Sequence, residues 1–365
     1  MTITMSITTS GILNDAVAND STVTVPLNQL LTLLNNIANG AQNLEQMRFA
    51  ELGSTPSTPG ANLWKIYFRS GGLYILDDAG VETAIPLTTV STMGQPCEGR
   101  LTLTSGTPVT TSDVTAATTI YFTPYKGNRI SLYDGSGWDI YTFTERSLSL
   151  SGLTADTNYD VFIYDNTGVL TLQAVAWTNS TTRATAITLQ DGIYVQSGSL
   201  TRRYLGTFRT TSSTGQTEDS LLRRYVWNYY NRTPRTLLVT DSTDSWTYAT
   251  ASYRSLNNST NNRVQFVIGV NEEIVELRHY LTSITQGVTP GIALDATNAN
   301  NALLRSLTAS AAASQVGVSE YRGYPGIGYH YLQLTEQGNG STATIYGDAG
   351  VPGSLQMGGI GQLAA

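Results

Sequence analysis

One cysteine, two histidines and two lysines in 365 residues is a thin supply of reactive and flexible cationic groups, and each shortage removes a class of explanation. Cys97 stands alone, so no intrachain disulfide can form and stability has to come from burial and association. His279 and His330 lie far apart and have no cysteine partners, which leaves no recognisable zinc set. There is no GxSxG elbow and no phosphate-binding GxxxxGKS/T run. Gly323-Tyr324-Pro325-Gly326-Ile327-Gly328 is not a dinucleotide fingerprint, because no strand-turn-helix unit surrounds it. Glu272 and Glu273 are adjacent, and on a strand their carboxylates would point to opposite faces, unable to act as an acid and nucleophile pair. No catalytic residue, metal or cofactor is expected.

Long apolar runs are missing too. No window approaches 18 apolar residues, and the opening MTITMSITTS lacks a basic segment followed by an apolar one, so neither membrane insertion nor a secretion signal is expected. Net charge is −7, which argues against binding nucleic acid, since that requires clustered cations. Among 20 basic residues only Lys65 and Lys126 are lysine; the rest are arginine, whose planar fork suits fixed contacts between subunits.

Charged residues make up only 13% of the chain, and Thr, Ser, Asn and Gly fill the polar positions, a bias towards extended structure and turns. Tyrosine outnumbers phenylalanine 21 to 7, a ring suited to half-wet surfaces such as interfaces, sheet faces or sugar sites. The clusters Tyr225, Trp227, Tyr229 and Tyr321, Tyr324, Tyr329, with Tyr230 and Tyr331 beside them, are the candidate glycan or interface aromatics; at alternating spacing they equally suit a core.

Along the chain the expected units are an extended arm at 1–25, a helical stalk at 26–52, a hairpin connector at 53–97, a β-sandwich at 98–240 and a jelly-roll-like β-domain at 241–365. Pro26 sits where a first helical turn tolerates a missing N–H. Leu27, Leu30, Leu34, Ile37, Ala41 and Leu44 then alternate spacings of three and four, a trimerisation seam on an under-wound helix. Such a helix is marginal alone, so it needs either copies of itself or a β-domain of its own chain to cover the stripe. After STPSTPG the segment Leu63–Arg69, a Ser70-Gly71-Gly72 turn and Leu73–Leu76 read as a hairpin. Beyond it short strands recur, among them 129–133, 159–164, 170–176 and 263–270, separated by turn signals such as Lys126-Gly127-Asn128 and Asn166-Thr167-Gly168.

Four stretches carry a family likeness: GGLYILDDAGVETAI; IYFTPYKGNRISLYDGSGW with RRYLGTFRTT and EDSLLRRYVWNYYNR; DSWTYATASYRSLNNSTNNRVQFVIGV; and GYHYLQL with IYGDAG. They touch most of residues 60–350, and in them the chain resembles virion surface proteins of tailed bacteriophages, the fibres, spikes and capsid decorations. The resemblance implies a non-enzymatic virion protein, assembled in the host bacterial cytoplasm, in which a trimeric stalk joins β-domains. Its partners would be itself as a homotrimer, other capsid or tail proteins through the N-terminal arm, and a host surface glycan. Three rivals stay open: a capsid cement protein, a tail fibre receptor-binding protein and a polysaccharide-degrading tailspike.

Overall fold

A computed structural model describes residues 2–5, 23–26, 52–70, 72–85, 95–308, 313–348 and 355–365. The chain is mainly β, and among the described residues the helical structure is a single 3-10 turn at Leu256–Asn258. It divides into two compact units, Met1–Met93 and Gly94–Ala365.

In the first unit Thr2–Met5 pairs antiparallel with Val23–Pro26, so the two ends of the expected arm bond to each other. Pro26 is the last residue of this strand, where the sequence reading placed the first residue of a helix. A proline with no N–H to donate is tolerated at a strand end. The seam residues Leu27, Leu30, Leu34, Ile37, Ala41 and Leu44 lie outside the described residues.

The connector forms as expected from alternation and turn chemistry. Lys65–Arg69, Gly72–Leu76 and Glu82–Ile85 make a three-stranded antiparallel ribbon, with Arg69 opposite Gly72 across the first turn. Ser70 takes φ 50° there, the backbone hand that tight hairpins require. The second turn is held by Asp77, whose Oδ1 accepts the N–H groups of Ala79 and Val81.

The second unit is built from largely antiparallel sheets around two cores. A six-stranded sheet runs Val169–Ala176, Asn158–Asn166, Ser199–Arg209, Ile193–Gln196 and Ile187–Gln190, with Val226–Asn228 also on the Ser199 strand. Thr167 and Gly168, both at positive φ, close its first hairpin, at one of the turns read from the sequence. With Gly99–Thr102 and Thr119–Pro124 its strands enclose Leu101, Phe122, Ile130, Val161, Ile163 and Phe208.

Two seven-stranded sheets enclose the other core. One is centred on Arg263–Ile268 and Gly328–Gln337; the other runs Pro234–Thr240, Gly358–Ala364, Val275–Ile284, Gln315–Gly323 and Leu304–Arg305, with Ala343–Tyr346 and Ser245–Tyr248 alongside. Alternate residues of the Val275 strand, Leu277 and Leu281 among them, point inward against Phe266, Ile268, Leu332 and Leu334. A boundary at 240 does not separate this pairing: Pro234–Thr240 is a strand of the second sheet, and Arg223–Arg224 runs parallel to Arg263–Ile268.

Candidate functional site

Most of the singled-out aromatics are interior. Trp227 is fully buried, Tyr225 and Tyr321 are buried, and Tyr229 and Tyr329 are half-buried. Tyr229 meets Tyr194, Trp227 and Tyr230, and the Tyr329 ring carries the Arg209 guanidinium 4.0 Å above its centre. Tyr225 and Tyr329 also both donate their hydroxyls to Gln265 Oε1, at 3.0 and 2.7 Å. Tyr324 differs: it is 58% exposed.

The arginine excess finds its use inside the chain. Arg209 over Tyr329, Arg254 over Tyr248, Arg263 over Tyr331 and Arg202 over Tyr164 each place a guanidinium 3.8–5.0 Å from a tyrosine ring centre. The planar cation therefore braces neighbouring strands and sheets within the chain. Arg203, fully buried, donates Nη1 to the Pro96 and Ser131 carbonyls at 2.9 and 2.8 Å and Nη2 to the Gln95 carbonyl at 3.1 Å.

A second buried cluster joins the two cores. Asp160 accepts a bidentate pair from Arg183, Nε at 2.6 Å and Nη2 at 3.1 Å, and a bond from Thr207 Oγ1 at 2.6 Å. Arg183 Nη2 continues to the Gly269 carbonyl at 2.7 Å, and its guanidinium lies 4.5 Å over Trp177. A Cβ on Gly269 would overlap the Tyr204 hydroxyl, so the close approach of these segments demands glycine. Arg100 and Arg235 line a small polar cavity of about 10 Å³ beside Asp219. Burial, with the Arg235 charge adding to it, lowers the Arg100 guanidinium to about 10.

The cysteine is half-buried and both histidines are buried. Burial pushes the Cys97 thiol up to about 11, away from nucleophilic thiolate. His279 is fully buried with Nδ1 3.0 Å from the Gly291 carbonyl, and His330 Nδ1 lies 2.8 Å from Asp295 Oδ2. No group of three or more His, Cys, Asp or Glu able to hold a metal ion occurs among the described residues.

The open concave site is a groove of about 230 Å³ at one end of the second seven-stranded sheet, lined in part by Tyr324, Glu272, Glu273, Glu276, Ile274 and Gln362. Glu272 and Glu273 lie in the turn before the Val275 strand, not on a strand. Both reach Arg232, at 3.0 and 3.1 Å, so the opposite-face argument does not apply to them. Glu276 pairs with Arg322 at 3.0 Å. The groove thus combines an exposed aromatic ring, apolar wall and carboxylate acceptors already oriented by arginines. That set can hydrogen-bond hydroxyl groups while stacking on an apolar ring face. Sequence reading singled out Tyr324, set Glu272 and Glu273 aside as strand residues and did not single out Glu276; their convergence depends on a turn that period-two patterning does not reveal.

No family model matches the chain, and no curated protein matches it. Among solved structures it is similar to the insecticidal delta-endotoxin Cry8Ea1 from Bacillus thuringiensis, with 6% identity over 73% of this chain and 52% of that one and a TM-score of 0.23. It is also similar to the structure of the infectious bursal disease virus Gx strain, with 13% identity over 70% of this chain and 74% of that one and a TM-score of 0.20. The chain spans about half the length of the endotoxin. At these TM-scores the likeness carries no argument about fold or function.

Proposed function

We propose that the chain is a non-enzymatic structural protein of a tailed-bacteriophage virion: a homotrimeric surface fibre or spike, anchored by its N-terminal arm and the Leu27–Leu44 coiled-coil seam. In this reading its sandwich and jelly-roll-like β-domains project for adhesion to a host glycan or for decoration of the capsid. The observation that carries it is the ribbon at 65–85. Three short strands make a unit too small to be stable alone, and around it Leu63, Trp64 and Ile66 remain 40, 45 and 38% exposed. Copies of the chain packed about a three-fold axis cover such residues, and the seam just before the ribbon supplies that axis. The Tyr324 groove supports the adhesive role, since three copies of one weak sugar site bind a repetitive surface by avidity.

Light scattering and particle composition test this together. The full chain is expected to have a mass that is a whole multiple of three 39.3 kDa chains, and to appear as a band in gels of purified particles. A mass of one chain, or absence from purified particles, refutes the proposal. The copy number per particle separates abundant head decoration from a tail fibre present in few copies.

A further inference from the structure

Between Glu276 and Tyr280 the outward face of the second seven-stranded sheet carries a pattern of charged and apolar side chains that are exposed or half-buried. Across its strands one row reads Leu238, Ile360, Arg278, Glu320 and Leu304. The row on one side places Glu276 opposite Arg322, and the row on the other places Tyr280 opposite Val318. Ile360 is 48% exposed and Leu304 68%. Arg278 and Glu320 pair at 3.1 Å, and Arg322 and Glu276 at 3.0 Å. On the Val275 strand the order is therefore minus then plus, and on the neighbouring Gln315 strand it is plus then minus. Such a checkerboard is its own complement.

We propose that this face binds the same face of a second copy of the chain, about a two-fold axis lying in the interface, parallel to the strands and midway between the Val275 and Gln315 strands. Rotation about that axis keeps each residue at its height along the strand and exchanges the two strands. Arg278 of one copy then faces Glu320 of the other, and Glu276 faces Arg322. The same rotation sets Ile360 against Leu304 and Tyr280 against Val318. Both cations meet carboxylates and the apolar groups within the overlap meet apolar groups, with Leu238 at its edge, whereas an unrelated partner would have to reproduce the whole pattern. The four strands that meet, of 7, 10, 9 and 2 residues, present about 450 Å² per copy at about 3.4 Å per residue and about 4.8 Å between strands, the size of a weak, reversible interface. This inference does not rest on the proposed trimer; where the three-fold holds, the two-fold joins chains of two trimers.

Analytical ultracentrifugation of the full chain tests it, with circular dichroism as the check on folding. The expected result is that wild-type chain sediments with twice the mass of Ile360→Asp: six chains against three where the trimer forms, two against one where it does not. Arg278→Glu is expected to halve the mass in the same way, by setting glutamate against Glu320 at both symmetric contacts, and Arg278→Glu with Glu320→Arg to restore it. Equal masses for wild type and Ile360→Asp overturn the proposal, as does a folded double charge swap that stays at half mass. As a measurement that needs no disruption, Leu304→Cys with Ile360→Cys treated with a short bismaleimide is expected to give a covalent dimer that neither single variant gives. Complete labelling without that dimer also overturns it.

Discussion

His279 is the group whose protonation the fold resists most clearly, and removing it makes the resistance measurable. The ring is fully buried on the Val275 strand, with Nδ1 3.0 Å from the Gly291 carbonyl and Nε2 without a hydrogen-bond partner among the described residues. Burial lowers the imidazole from 6.5 to about 4. Between those values the unfolded chain holds a proton that the folded chain does not, so stability falls as pH falls through the window and is complete above pH 6.5. The gap corresponds to about 3 kcal/mol. His279→Asn keeps an N–H for the Gly291 carbonyl and removes the titration. In urea unfolding from pH 7.5 to 4, the wild type is expected to lose about 3 kcal/mol relative to this variant, with the difference flat above pH 6.5. Carboxylates common to both proteins cancel in that comparison. With two histidines in the chain, ¹⁵N-histidine NMR gives a direct second reading. Parallel unfolding profiles, or a His279 ring that titrates near 6.5, would refute the reasoning.

Asp160→Asn removes the negative charge that Arg183 faces, where the two side chains are only 2% and 10% exposed. Breaking a buried pair by removing one partner is expected to cost about 3–5 kcal/mol, read as a lowered thermal midpoint; a change under about 1 kcal/mol would show the pair to be solvated in practice. Tyr324→Ala, at an exposed position in the groove, is expected to leave the thermal midpoint within about 2 °C and to weaken binding to host envelope polysaccharide at least about tenfold. Undiminished binding by the folded variant would move the adhesive site elsewhere.

Much of the local structure was legible in the sequence because its causes are local. The strand Arg129–Tyr133 runs where the sequence placed it, and the expected 159–164 and 170–176 lie inside Asn158–Asn166 and Val169–Ala176. The intervening Thr167 and Gly168 adopt the positive φ values that a tight turn needs. Pro26 was read as a helix start because a missing N–H suits a first turn; it suits a strand end equally, and the neighbouring sequence does not choose between them. Glu272 and Glu273 were set aside on strand geometry that a turn does not obey.

Composition and patterning by themselves determined that the chain is mainly β, where turns such as Asn166-Thr167-Gly168 fall, and that no disulfide staples it. Only the tertiary structure decided which tyrosines are core and which one is open, and which arginine meets which ring. Arg209 and Tyr329 stand 120 residues apart, and the buried Trp227 and the exposed Tyr324 stand 97 apart. The physical reason is range. Alternation along a strand is set by the backbone of a few residues and assigns each side chain to one of two faces, whereas burial depends on what the rest of the chain lays over that face.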